Sequence, residues 1–335
     1  FDVYPSGPCS PCPPCDPCKD TSFSVGVDFL YWKPCVDDLD FSATVAGVVD
    51  DIDNPLEVRY NSVCPEWEPG FRINLRKENA WKCFDLSFSY TWLNSDDSES
   101  STADNGEFIA PVNLIPFLDN TQPFDYARGK WELNYQTFDI LLSYPFRCGS
   151  CHMIAPFLGV EVVKFDQNFE AKYERDVPNS SFSPVGLVDW ESDYKGAGLK
   201  LGADYLYQIC DGLTLFTRAS GTIAVGDADS SNHQRYYIVS ADGAIQLDDN
   251  IHFKDDDCCH VVPGYHLQLG LQYKDNTCGC EYKLRLGYEM VQWYNLQNPR
   301  RWFEADDDGL VAQGTQSNTT TLGFHGLLAG FEVKF

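Results

Sequence analysis

Apolar and polar residues alternate along most of this chain. In 22–33, SFSVGVDFLYWK, Phe23, Val25, Val27, Phe29 and Tyr31 share one face, while Ser24, Gly26 and Asp28 share the other. In 80–94, Phe84, Leu86, Phe88, Tyr90 and Trp92 oppose Cys83, Asp85, Ser87, Ser89 and Thr91. The same rhythm runs through 70–76, 198–208, 264–273 and 281–291. A period of two is the mark of a strand with one apolar and one polar side. Less regular stretches at 129–145, 153–168, 213–225 and 319–335 complete a set of ten predicted strands.

The links between these strands alternate in length. Short ones fall at 77–79, 147–152, 210–212 and 274–279; long, acidic ones fall at 34–66, 95–128, 169–190, 226–260 and 296–318. An up-and-down antiparallel barrel, with tight turns at one rim and long loops at the other, has this rhythm. LEVRYNSV at 56–63 is a candidate for a further hairpin strand hidden in a loop. A soluble β-sandwich also alternates, but three features favour a membrane barrel. The strands reach ten or more residues, whereas soluble strands typically have about five or six. Aromatic residues gather toward strand ends, at Tyr31–Trp32, Tyr90–Trp92, Tyr205–Tyr207 and Trp293–Tyr294, as in an interfacial girdle. The chain also ends FEVKF, with Phe331, Val333 and Phe335 on one face, in the manner of a barrel-assembly signal. The fold class expected is therefore all-β, a transmembrane β-barrel.

Composition narrows the setting. With 335 residues, 24 Lys and Arg against 50 Asp and Glu, the formal charge is −26, which argues against nucleic acid as a partner. A hydrophobic share of 43%, with 14% aromatic, is enough to bury a core. No run of eighteen apolar residues exists, so no transmembrane helix is expected. Fourteen cysteines point to an oxidising compartment, with a cytosolic metal protein as the competing reading. The sequence opens at Phe1 without a charged n-region or apolar h-region, and the expectation is a chain whose signal peptide has been removed.

YWKPCVDDLDF, followed by EWEPGFRINLRKENAWKCFDLSFSYTWL, resembles the major-outer-membrane-protein family of Legionella and chlamydia-related bacteria. The match is most specific over 28–93, and the cysteine content leans toward the chlamydia-like branch. The resemblance implies an abundant, oligomeric, disulfide-linked envelope protein of the bacterial outer membrane, and several relatives act as porins. It also implies about sixteen strands, as in water-filled porins, against the ten read here.

The first twenty residues predict a separate flexible, periplasmic, Pro- and Cys-rich segment, and 21–335 the barrel. PCSPCPPCDPC places Cys9, Cys12, Cys15 and Cys18 three residues apart. On a polyproline II rod their neighbours stand about 9 Å apart, beyond the roughly 7 Å reach of a disulfide, so they would seek sulfur elsewhere. Cys83, Cys148, Cys151, Cys210, Cys278 and Cys280 fall at or near the short links, and with the first four would form a periplasmic ring of cross-link candidates. Partners would then be other copies of the chain or cysteine-rich periplasmic proteins. Stapling within a turn, as between Cys148 and Cys151, is the plainer alternative. Zinc on the two Cys-x-x-Cys pairs is a third, disfavoured because only Pro13 and Pro14 separate them. Cys35, Cys64, Cys258 and Cys259 fall in the outer loops.

The polar faces define a lumen in which Arg72, Arg76, Lys200, Arg218, Lys283 and Arg285 mix with Asp28, Asp85, Asp204 and Glu289. If open, this interior is wet and weakly selective; if plugged, the same residues form ion pairs. HFKDDDCCH at 252–260 invites a metal reading. Adjacent Cys258 and Cys259 should point to opposite faces of a strand, however, so a solvated acidic loop that attracts loosely held divalent cations is the better expectation. No hydrolase, zinc-protease or P-loop motif is present, and neither enzymatic turnover nor a cofactor is expected. The leading function is passive diffusion of small hydrophilic solutes, joined to an envelope role through disulfide cross-linking. The alternative is a closed barrel acting as a surface adhesin or envelope structural protein.

Overall fold

The computed structural model describes residues 21–46, 57–112, 124–149, 151–175, 182–240, 243–277, 280–307 and 310–335. Among them are β1 (Ser22–Val36), β2 (Asp40–Ala46), β3 (Glu57–Ser62), β4 (Glu68–Trp81), β5 (Phe84–Thr102), β6 (Glu107–Pro111) and β7 (Tyr126–Ser143). These are followed by β8 (Phe146–Cys148), β9 (His152–Glu174), β10 (Phe182–Cys210), β11 (Leu213–Ser240), β12 (Ile245–Thr277), β13 (Cys280–Asp307) and β14 (Leu310–Lys334). No helix occurs among the described residues.

The large sheet has eleven strands; β8 adds only three residues to β9, so ten make the wall. Its order is β1-β4-β5-β7-β9-β10-β11-β12-β13-β14, and β14 pairs back onto β1 with Val27 opposite Phe331. Every neighbour is antiparallel. Closure leaves no open edge in the wall, the condition for a sheet to cross hydrocarbon. Ten strands replace the sixteen that the family resemblance implied.

The outer surface shows why the alternation was so clean. Phe29, Ile73, Ile140, Leu158, Leu201, Ile223, Leu269, Leu286 and Leu327 are all exposed, and together form an apolar belt. Trp81, Tyr207 and Tyr273 edge it near the short turns, and Tyr31, Trp67 and Tyr294 edge it on the other side. Tyr31 stacks on Trp67 with ring centroids 5.5 Å apart. On β12, Tyr265 to Tyr273 spans nine residues, close to the ~9–11 that a tilted strand needs to cross a bilayer. Two members of the expected girdle turn the other way. Trp32 is 1% exposed and Trp293 2% exposed, because each has the parity of the lumen face.

Three of the expected long loops are largely wall. β9 to β14 run for 23–33 residues, well beyond a membrane crossing. The segments 169–190, 226–260 and 296–318 are mostly paired strand. Outside the belt one face meets water and the other a partly polar interior, so hydropathy stops alternating although the backbone ladder continues. The first short link is also displaced, from 77–79 to the tight turn at Lys82 and Cys83, where φ is +46° and +70°. β4 continues past 79 through a register shift between Lys77 and Trp81. The hidden strand at 56–63 is β3, which joins β2 and β6 in a separate three-stranded sheet rather than the wall.

Candidate functional site

A ten-stranded barrel has little interior to spare, and here the described side chains fill it in tiers. All ten predicted lumen residues face inward, and each stands in an ion pair. At the centre Arg72 of β4 donates to Glu289 of β13 through Nη2 (2.7 Å to Oε1) and Nη1 (3.3 Å to Oε2). Its Nε donates to Thr91 Oγ1 at 2.9 Å. Glu289 also accepts from Gln268 Nε2 at 2.8 Å and contacts His266. Asp28 accepts from Arg285 Nη2 and from Asn74 Nδ2, each at 2.8 Å. Across the lumen Lys200 Nζ bridges Asp139 (3.0 Å) and Glu161 (2.9 Å). These charges form two clusters, one on β13, β1 and β4 and the other on β7, β9 and β10, and the Arg72–Glu289 and Lys200–Asp139 pairs each join strands that are not neighbours.

Gly330 shows how the network fits: a Cβ there would collide with the Asp28 carboxylate, so only glycine lets the Asp28–Arg285 pair lie against β14. A cavity of about 20 Å³ remains between Arg72, Thr137, Lys200 and His266, roughly the room one water needs.

Below this tier, toward the short turns, lies a vestibule of about 660 Å³ lined largely by charged and polar side chains. Its pairs are Arg76–Asp85 (2.6 Å), Arg218–Asp204 (2.6 Å), Lys283–Glu332 (2.8 Å), Lys274–Glu281 (2.5 Å) and Lys334–Glu78. Above the centre the interior turns aromatic. Tyr135 lies 4.5 Å from Phe324 and 5.4 Å from Phe165, centroid to centroid, and Trp293 Nε1 donates to its hydroxyl at 3.3 Å. Trp32 packs on Phe324 at 5.6 Å and beneath the Arg72 guanidinium at 5.7 Å. A further layer holds Trp131, Phe169 and Tyr173, all buried. β2 closes over it: Phe41 fills the space beside Gly129, where a Cβ would sit 2.7 Å from the ring, and the Tyr173 hydroxyl donates to the Phe41 carbonyl.

Asp139, Glu161, His266, Glu78, Glu332 and Lys334, together with the aromatic tier, were not among the sequence candidates. Parity could have found Trp32, four residues after Asp28, and Glu332, which lies between Phe331 and Val333. The long-range pairings could not have been found that way.

The cysteines separate by rim. Cys148, Cys151, Cys210 and Cys280 lie at the short-turn end, as does Cys83, which is disulfide-bonded. Cys35, Cys64, Cys258 and Cys259 lie toward the other end. Cys9, Cys12, Cys15, Cys18 and Cys278 lie outside the described residues. The expectation that Cys258 and Cys259 point apart is overturned. Gly226 pairs with His260 and Ala228 with Asp257, so both cysteines oppose Asp227 alone in a β-bulge. Their thiols are hydrogen-bonded to one another, which raises the Cys259 thiol above its ordinary range. The Cys259 N–H and His260 hold the Asp257 carboxyl below its ordinary range. At the C-terminus Phe331 and Phe335 are exposed on the outer face, and Phe331 stacks on Tyr282 at 6.1 Å.

The family model of the Legionella pneumophila major outer membrane protein precursor matches residues 15–335. No curated protein matches the chain. Among solved structures, the outer-membrane protease OmpT of Escherichia coli is 8% identical, with 94% of this chain and 96% of that one covered and a TM-score of 0.37. The Pseudomonas putida toluene transporter TodX is 10% identical, covering 94% and 89%, with a TM-score of 0.35. A major outer membrane protein of Thermus thermophilus is 11% identical, covering 95% and 100%, with a TM-score of 0.30.

Proposed function

Because this chain belongs to the family of the Legionella pneumophila major outer membrane protein, we propose that it serves the outer membrane as a closed barrel. In this reading it strengthens the envelope and presents its long acidic walls outside, with the short-turn rim in the periplasm. One observation carries the proposal: the lumen is crossed by a buried charge network and, directly above it, by a packed aromatic tier. A hydrophilic solute would have to break the Arg72–Glu289 and Lys200–Glu161 pairs and then displace Tyr135, Phe165 and Phe324. Breaking a buried pair of this kind costs about 3–5 kcal/mol, before any desolvation of the solute.

The 660 Å³ vestibule supports a second reading, in which the chain admits small hydrophilic solutes when the central tier rearranges. Cys83 is already spent in a disulfide of its own chain, whereas Cys148, Cys151, Cys210 and Cys280 of the short-turn rim fit a cross-linking role in either case, to further copies of the chain or to cysteine-rich periplasmic proteins. Phe331, Val333 and Phe335 fit the assembly signal of a last strand. Liposome swelling tests the main reading: vesicles bearing the refolded protein should swell no faster in a small neutral sugar than protein-free vesicles. Swelling that scales with protein content would favour the second reading.

A further inference from the structure

The acidic stretch 252–260 does not act as one cluster, because its two histidines are used differently. His260 is occupied at both ring nitrogens, by Asp257 Oδ2 at 3.1 Å and by the Asn295 carbonyl at 2.5 Å. His252 instead meets a second histidine. In the β11–β12 ladder it stands directly opposite His233, and the two rings lie 5.4 Å apart, centroid to centroid, tilted by 41°.

We propose that His233 and His252 form a surface site for a borderline divalent cation, of the Zn²⁺, Cu²⁺ or Ni²⁺ class. The geometry carries this directly. A metal–imidazole bond of about 2.0–2.1 Å puts the ion roughly 3.2 Å from each ring centroid, so two rings on one tetrahedral ion have centroids about 5.2 Å apart. The observed 5.4 Å matches that spacing, and rotation about the side-chain bonds would turn one nitrogen of each ring toward a shared ion. Directly opposed residues on antiparallel strands are held with Cβ atoms about 4.5–5.5 Å apart, so the ladder pre-positions the pair.

The surroundings fit as well. One ring nitrogen of His233, Nε2, is held by Asn250 Oδ1 at 2.6 Å, which orients the ring in the manner of an outer-shell partner to a metal ligand. On the other side of His233 in the ladder stands Asp189, whose carboxylate neutralises the nearby Arg235 guanidinium and so offsets the one cation beside His233 on its own strand. His252 is exposed and His233 half-buried, so an ion can reach them. Imidazole donors suit zinc, copper and nickel rather than magnesium or calcium. Among the described residues no group of three or more His, Cys, Asp or Glu side chains is arranged to hold a metal ion. Two imidazoles would therefore bind the ion, and water, or a ligand from a second molecule, would complete its shell. The site lies on the outer wall, and its occupancy does not depend on whether the lumen conducts.

The test uses the refolded full chain in detergent, with its thiols alkylated so that sulfur cannot compete. Cu²⁺ is titrated while its electron paramagnetic resonance is recorded. The expected result is one tightly held ion whose spectrum shows two equatorial nitrogens. His233→Gln and His252→Gln should each weaken binding at least tenfold and leave one nitrogen in the spectrum, whereas His260→Gln should change neither. Protection of the unsubstituted chain's histidines from carbethoxylation by added Zn²⁺, localised by peptide mapping to positions 233 and 252, gives a readout that needs no variant. Unchanged affinity in His252→Gln, or protection spread equally to His260, would overturn the site.

Discussion

Arg72 and Glu289 are separated by 217 positions in the sequence and meet in a two-pronged pair at the centre of the barrel, with the shorter bond 2.7 Å long. Both side chains are buried, at 8% and 0% exposure. The pair spans the lumen side of strands that are not neighbours, so it works as a cross-brace as well as a plug.

Removing one partner should therefore cost far more than removing both. Glu289→Gln leaves the buried Arg72 guanidinium with only the more distant Asp28, 4.0 Å away, as counter-charge, and should lower stability by about 3 kcal/mol. The double substitution Arg72→Met with Glu289→Leu removes both charges at similar volume and should come close to the unsubstituted protein. Urea unfolding in lipid vesicles, followed by tryptophan fluorescence, measures both. Equal losses in the single and double variants would show that the pair is not coupled.

The cap over the mouth remote from the short turns rests on the absence of a side chain at Gly129. Gly129→Val pushes a Cβ to within 2.7 Å of the Phe41 ring, an overpacking worth about 1–3 kcal/mol. The wall should survive, because β7 keeps both of its ladders, while β2 should lift. Limited proteolysis is expected to cut within 40–62 many times faster, with the heat-modifiable gel mobility of the barrel unchanged.

The apolar belt makes a depth-dependent prediction. Leu286 is 64% exposed and lies level with Leu271 and Ala329 on its neighbours. Leu286→Arg should cost about 2–4 kcal/mol of folding free energy in a bilayer. Ser231→Arg, on the extended wall between Glu191 and Lys254, has one attractive and one repulsive neighbour and should cost almost nothing. Comparable costs at the two positions would place the bilayer elsewhere on the wall.

Orientation is open to a chemical test through the exposed, free thiols of Cys258 and Cys259 at one end and Cys210 at the other. In intact cells a membrane-impermeant maleimide should label a chain retaining only Cys258 and should spare one retaining only Cys210. The reverse pattern would invert the assignment of the short-turn rim to the periplasm.

Much of this architecture was legible in the sequence, and the losses have physical causes. Within the belt one face must be apolar and the other polar, so stretches such as 281–291 announced both their strand and its two faces. That is why Asp28, Arg285 and Glu289 could be placed in the lumen from parity alone. Trp32 and Trp293 sit next to Tyr31 and Tyr294 in sequence, and it is parity, not that proximity, that decides their face. Beyond the belt the constraint lapses, and 226–260 read as loop although it is largely paired wall. At 77–79 the polar run Lys77, Glu78, Asn79 looked like a turn, whereas Asn79 instead donates its N–H to Asp85 at 2.9 Å. What no local pattern could show is whether the lumen is open, since that depends on partners hundreds of residues apart.

The closed lumen is tested most directly by single-channel recording of the refolded protein in a planar bilayer, before and after thiol reduction. The account predicts no discrete conductance steps in either state, because the Arg72–Glu289 network and the aromatic tier above it do not depend on cysteine. Large, regular steps of constant size in the unreduced protein would contradict it and establish an open pore.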